Sequence, residues 1–168
     1  EAKEVLKKAK NQGVASDNLN ALKARLALIH QTEKADSASP SQPLLNGLLE
    51  YYQAGRYDDA EKLAVSITQE FPKHQFGWKV LGAVLGQTGR NSEAVHANRN
   101  AIALSPQDAE AHNNLGGTLQ GLGRLVEAEA SCSQAIALKP DYAEAHYNLG
   151  MTLQELGRLN EAEASYRQ

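Results

Sequence analysis

Residues 109–134 read AEAHNNLGGTLQGLGRLVEAEASCSQ, and residues 143–168 read AEAHYNLGMTLQELGRLNEAEASYRQ. The second stretch repeats the first 34 residues later, with 20 of 26 positions identical. Self-similarity at a fixed period of this length marks stacked supersecondary units, not one globular core. Three of the six differences are Asn113/Tyr147, Gly117/Met151 and Gly121/Glu155. Their i, i+4, i+8 spacing places them on one stripe of a helix. A frame copied faithfully, with one stripe changed, has the logic of a scaffold that presents a variable surface.

The period extends toward the N-terminus. Trp78, Leu81, Gly82, Leu85, Gly89, Ala94, Ala101 and Pro106 fall where the next copy has His112, Leu115, Gly116, Leu119, Gly123, Ala128, Ala135 and Pro140. Residues 41–74 hold register more loosely, through Leu44, Tyr51, Gly55, Ala60 and Pro72, and place Gly47-Leu48 where the other copies read Leu-Gly. The array therefore divides into 41–74, 75–108, 109–142 and a truncated 143–168.

Each unit reads as two helices. Leu115, Leu119 and Leu122 form an apolar i, i+4, i+7 face, and Gly123 then ends the helix. The following segment spaces Ala128, Cys132, Ala135 and Ile136 as a second helix, which stops before Pro140 because proline disfavours helix in the preceding residue. The same reading predicts helices over 42–54 and 57–70, 75–88 and 91–104, 109–122 and 125–138, and 143–156 and 159–168. Gly82, Gly116 and Gly150 lie inside first helices, where glycine costs about 1 kcal/mol relative to alanine. Close approach of the partner helix near Ala94, Ala128 and Ala162 is the expected compensation. Because the last unit is truncated, Leu149, Leu153 and Ala162 are expected to lie uncovered and to offer a surface for self-association.

Before the array the period fails. Residues 1–34 hold a Lys-rich segment with Val5 and Leu6 on one side, then a stripe of Leu19, Leu22, Leu26 and Ile29 behind a capping Asp17. They read as a divergent helical hairpin or cap on the first repeat, or as a stripe that packs on another chain. Residues 35–43, ADSASPSQP, read as a linker.

Composition narrows the function classes. The chain has 168 residues, 42% hydrophobic and 22% charged, with aromatics at only 5%, so Leu and Ala must fill the interior. A net charge of −3 gives no basic footprint for nucleic acid. No apolar run approaches the roughly 20 residues that span a bilayer. One cysteine, Cys132, excludes an intramolecular disulfide and falls on an apolar helix face, as a buried structural thiol would. A cytoplasmic protein is expected, although a chain that starts at Glu1 leaves open whether a leader was removed.

No motif for chemistry emerges. His112 and His146 recur at equivalent places, one repeat apart, too far for a shared metal with bonds of about 2 Å. Glu127, Glu129, Glu161 and Glu163 recur near helix starts, where negative charge suits the dipole. No phosphate-cradling glycine loop, GxSxG elbow or cysteine–histidine pair at the spacing of a known catalytic family is present. The segment reads as non-enzymatic and without a cofactor or metal.

Trp78, Leu81, Gly82, Tyr51 and Tyr166, with the serial alanines and prolines, resemble the tetratricopeptide repeat family over Ser41 to Gln168. The resemblance implies an all-α, right-handed superhelical solenoid of antiparallel helix pairs, whose first helices line an inner, concave groove. It places the stripe Lys79, Ala83 and Gln87, Asn113, Gly117 and Gly121, and Tyr147, Met151 and Glu155 on that groove. Beside it stand Asn46, Val80, Asn114 and Asn148, with Gln120 and Gln154 further along. An asparagine offers both a donor and an acceptor, so a row of them can pair with the backbone of an extended peptide. Such a ladder resembles the repeats of O-linked N-acetylglucosamine transferases and their bacterial relatives, with a break at Val80. The alternative use of Asn114 and Asn148 is to bond the neighbouring repeat or to face water.

The peptide-binding residues expected from this reading are Asn46, Lys79, Asn113, Asn114, Gln120, Tyr147, Asn148, Met151 and Gln154. Family members that clamp a chaperone's C-terminal carboxylate use lysines, asparagines and an arginine across three repeats. Lys79 and Asn114 match two of those places, but Ala83, Glu144 and Asn148 depart from it, and Glu144 would repel a carboxylate. The expected function is a scaffold that binds a protein or peptide partner. The alternatives are the repeat region of a larger enzyme continuing past Gln168, such as a glycosyltransferase, methyltransferase or sulfotransferase, and a self-assembling structural protein.

Overall fold

The computed structural model describes residues 39–168 together with Ala21 and Lys23. The expectations for residues 1–34 and for the first part of the linker lie outside the described residues. Among the described residues the structure is helical throughout, with no strand. The helices of the array are α1 (Gln42–Gln53), α2 (Tyr57–Glu70), α3 (Gln75–Gln87), α4 (Asn91–Leu104), α5 (Ala109–Gln120), α6 (Leu125–Leu138), α7 (Ala143–Glu155) and α8 (Leu159–Tyr166). Gln42 and Pro43, read as linker, already belong to α1, where a proline in the first turn is well tolerated because that N–H has no helical partner.

Each first helix ends the same way. Gly55, Gly89, Gly123 and Gly157 have φ of 69°, 75°, 69° and 77°, a left-handed conformation open to glycine at little cost. The next residue is always arginine. Its backbone N–H reaches back 2.9 Å to the carbonyls of Tyr51, Leu85, Leu119 and Leu153 respectively, which completes a Schellman cap. The chain is thereby turned into the second helix at a fixed angle, four times over.

Each helix packs on its sequence neighbours, and the first helices of successive repeats also touch one another: α1 with α3, α3 with α5, α5 with α7. The second helices make no comparable series of contacts. The array therefore curves toward its first helices, which form the concave side. Alanines at the same repeat place, Ala60, Ala94, Ala128 and Ala162, are buried between the helices of each pair.

The glycine inside each first helix does face a close neighbour, but not the alanine expected. A Cβ on Gly82 would collide with Asn98, one on Gly116 with Cys132, and one on Gly150 with the Tyr166 ring. These residues lie one turn beyond Ala94, Ala128 and Ala162. In the first repeat the sizes are exchanged: Leu48 stands in the glycine's place and Ala64 opposite, both fully buried in one cluster. A small residue on one helix thus accompanies a larger one on its partner throughout. Cys132 is a buried thiol whose pKa burial pushes up to about 12, so it is structural and unreactive.

Two further expectations are corrected. Leu153 and Ala162 are buried and Leu149 is half-buried, and the Tyr166 ring packs against Gly150 across the α7–α8 pair. The apolar side chains exposed at this end are Tyr147, Leu159 and Tyr166. Leu122 falls beyond the end of α5 and is 37% exposed, so the apolar face of that helix rests on Leu115 and Leu119.

The recurrent Trp78, His112 and His146 share one duty. Trp78 Nε1 donates to the Pro72 carbonyl at 2.8 Å, while His112 and His146 Nε2 meet the carbonyls of Pro106 and Pro140 at 3.0 and 2.8 Å. A carbonyl only accepts, so both imidazoles carry the proton on Nε2. Each ring ties a first helix to the proline turn before it. Among the described residues no cluster suited to a metal occurs, and no helix is long and apolar enough to cross a membrane.

Candidate functional site

The close approach of α1, α3, α5 and α7 leaves a cavity of about 290 Å³ on the concave side. Tyr52, at the end of α1, and Glu144, in the first turn of α7, both line it, so it draws on the first and last repeats. Gly82, Ala83 and Gly86 of α3 and Gly117 of α5 add almost no side chain to the lining. A ligand backbone can therefore approach the helices closely. Polar side chains complete the lining: Gln87, Asn91, Asn113, Asn114, Thr118 and Asn148.

The hydrogen bonds divide the asparagines by role. Asn148 Nδ2 donates to Asn113 Oδ1 at 2.9 Å, and Asn113 Nδ2 approaches the Tyr142 hydroxyl at 3.4 Å. Asn113 is only 1% exposed. It joins the third repeat to the fourth. Asn114 is half-buried, and its side chain has no partner among the described residues; its backbone carbonyl accepts from the Thr118 hydroxyl. Its amide is therefore available to the groove. Behind the groove, Asn98 is fully buried, donates to the Thr118 hydroxyl at 3.1 Å, and leaves its own Oδ1 without a partner among the described residues.

Charge is arranged unevenly. Lys79 is held by Asp108 at 3.1 Å and Glu110 at 2.7 Å, another tie between repeats. Burial opposes the Lys79 ammonium, but its bonds to Glu110 and Asp108 prevail and keep its pKa above the ordinary lysine value. Burial would likewise raise Asp108, yet the Ala111 N–H and the Lys79 ammonium hold its carboxyl below the usual range. Asp108 also caps α5, accepting from Ala111 N at 3.1 Å. Glu144, by contrast, forms no ion pair among the described residues. Its one recorded bond is a long 3.4 Å approach from the Tyr142 hydroxyl. Burial, then the charges around it including Glu144 and Glu110, push the Tyr52 phenol up. The same two glutamates add to burial in raising Tyr142.

The expected site residues are therefore only partly gathered. Asn113, Asn114 and Asn148 meet in the cavity. Lys79 is spent on its carboxylates, and Asn46 accepts from Gln42 at 2.9 Å. Gln120 donates to Glu155 at 2.6 Å, a third tie between repeats. Gln154 accepts from the Tyr166 hydroxyl at 3.3 Å. Tyr147 is exposed, with its ring 5.9 Å from that of Tyr166, and Met151 is half-buried; neither lines the cavity. Val80, the break in the asparagine row, is buried in the core. Sequence reasoning missed Tyr52, Asn91 and Thr118 as lining residues. Tyr52 occupies the same repeat place as Gln120 and Gln154, which was the signal available.

Residues 107–168 match the family model described as tetratricopeptide repeat, and residues 82–123 match a second one, described as TPR repeat. Among solved structures, an O-GlcNAc transferase mutant from Thermobaculum terrenum is similar at 30% identity over 67% of this chain, with a TM-score of 0.65; the chain spans 22% of that protein. MamA from Desulfovibrio magneticus RS-1 is similar at 20% identity over 99% of this chain and 89% of its own, with a TM-score of 0.69. The first TPR of Spaghetti (RPAP3), bound to the HSP90 peptide SRMEEVD, is similar at 21% identity over 68% of this chain and 90% of its own, with a TM-score of 0.65. The latter two likenesses speak to the fold alone. No curated protein sequence matches the chain.

Proposed function

We propose, on the premise that this chain belongs to the tetratricopeptide repeat family, that it holds an extended segment of a partner protein in the concave groove. The observation that carries this reading is Asn114, whose amide stands without a partner among the described residues in a cavity lined by glycine and alanine. A side chain offering both a donor and an acceptor, beside a lining that admits backbone, suits a peptide main chain in extended form. Asn91 and Gln87 line the same cavity and extend the polar surface along it. The array is a binding frame and carries no chemistry of its own. An acidic peptide such as the SRMEEVD bound by the Spaghetti (RPAP3) repeat is not the ligand we favour, since Glu144 lines the groove and Lys79 is already neutralised.

The test is titration of a partner captured with the full chain. Asn114→Ala should weaken binding without lowering the melting temperature. Arg124→Ala, on an exposed turn where its only recorded bonds are to Glu127, should leave binding unchanged. Equal losses for both variants would move the ligand to the convex side.

A second reading is favoured by one observation, the 30% identity to a stretch of the Thermobaculum O-GlcNAc transferase. In that reading the groove feeds a substrate segment to a catalytic domain following the array. Sequencing the reading frame beyond Gln168 decides it.

A further inference from the structure

The groove has a charge preference that its asparagines do not explain. Among the described residues that line it, Glu144 alone is charged; Lys79 does not line it and is already held by Asp108 and Glu110. The Glu144 carboxylate lines the cavity with no cation against it among the described residues. Lys139, the nearest candidate in sequence, sits with its ammonium 4.9 Å from the Tyr142 ring and does not line the cavity. Tyr52 reaches the same cavity from the first repeat. A phenol ring attracts a cation to its face, and the concave wall around the exposed Glu144 carboxylate focuses its field on the cavity.

We propose that the segment held in the groove carries a lysine or arginine whose cationic end is seated between Tyr52 and Glu144. This rests on the groove reading above and names the chemistry of its partner. Gly86 carries no side chain into the cavity, and a Cβ there would meet nothing nearer than the Thr118 hydroxyl at 3.6 Å, which leaves room for a long basic side chain, while Asn114 holds the adjoining backbone. The same arrangement disfavours an acidic segment or a free C-terminal carboxylate, which would meet Glu144 with no compensating cation.

The test uses the full chain and an unbiased display library of 12-residue peptides. Selected peptides should share a basic residue in a constant register. Exchanging that residue for glutamine should weaken binding by about tenfold, as for loss of one well-seated charge pair. Glu144→Gln should cost the same, and the two changes together little more than either alone. Added salt should weaken the basic peptide more than its glutamine version. Selected peptides without basic enrichment, or an unchanged Kd for Glu144→Gln where Asn114→Ala still weakens binding, would overturn the cation seat and leave the groove reading standing. Selected peptides whose binding ignores both Asn114→Ala and Glu144→Gln would overturn the groove reading itself.

Discussion

Asn148 donates through Nδ2 to the Oδ1 of Asn113, 2.9 Å away and one repeat earlier, and Asn113 itself is only 1% exposed. Two asparagines that look alike in the sequence are therefore not alike in use. Asn113 and Asn148 hold the third and fourth repeats together, and the Asn114 side chain stands without a partner among the described residues.

This separates stability from binding. Asn148→Ala leaves the buried Asn113 oxygen without its donor, and an unsatisfied buried acceptor costs about 1–3 kcal/mol. Asn114→Ala removes no bond within the described residues and puts a better helix former in its place. Chemical denaturation should show a clear loss for the first variant and none for the second. Calorimetric titration of a groove peptide should show the larger affinity loss, about tenfold, for the second. Matching stability losses would mean that Asn114 has a structural bond of its own.

The Gly116–Cys132 contact gives a second, quantitative expectation. A methyl group on Gly116 would overlap the Cys132 sulfur, with Cys132 N at 3.4 Å and the Ala128 carbonyl at 3.5 Å leaving little room to move. Gly116→Ala should lose about 1–3 kcal/mol to overpacking, against a helix-propensity gain of about 1 kcal/mol. Cys132→Ala creates a cavity of its own. The double variant should be more stable than the sum of the two predicts, with a coupling of about 0.5–3 kcal/mol. Additive losses in urea melts would show that the sulfur is not what excludes the methyl group.

The periodic part of the fold was legible in the sequence because it is punctuated locally. The left-handed glycines and the prolines between units mark every helix end but the last, and each predicted boundary lies within a residue or two of the observed one. What was not legible depends on distances between repeats. Which turn of the partner helix meets Gly116 is set by how the helices cross, so Cys132 and not Ala128 is nearest. Whether an asparagine bonds its neighbour is a tertiary question too: Asn113 and Asn114 give the same signal, yet among the described residues only Asn113 has a side-chain bond to the next repeat. That Tyr52 and Glu144 line one cavity depends on the curvature of the whole array, to which no single repeat holds the key.

The arginines that end each first helix offer a test of how repeats are joined on the outer side. Arg90 bonds Glu93 in its own repeat and Glu61 in the one before, and Arg158 does the same with Glu161 and Glu129. Arg124 bonds Glu127 alone, because Val95 stands where the others find a glutamate. Arg90→Ala and Arg158→Ala should therefore lower the melting temperature more than Arg124→Ala. Since all three are exposed, added salt should shrink the difference. Equal shifts for the three would reduce the outer pairs to decoration of the surface.

The tie on the inner side, Lys79 with Asp108 and Glu110, should leave a mark in the pH dependence of stability. The Asp108 pKa is depressed by folding, so its contribution is present above its unfolded value of about 3.9 and is lost as the pH falls through the folded value. The Lys79 pKa is raised by folding, so its contribution is complete below about 10.4 and is lost as the pH climbs through the folded value. Between those limits the tie is intact. Asp108→Asn is the informative variant, because asparagine can keep the cap through Oδ1 while its NH2 replaces the oxygen that accepts from Gln75 at 2.7 Å and meets Lys79 at 3.1 Å. It should destabilise the protein by about 1 kcal/mol at neutral pH, as for one charge-assisted bond partly replaced by Glu110. Urea denaturation of both proteins from neutral to acid pH measures the gap. The gap should be constant near neutrality and close as Asp108 is protonated in the wild type. A gap that persists unchanged at the acid end would place the effect of Asp108→Asn in the cap and not in the bond to Lys79.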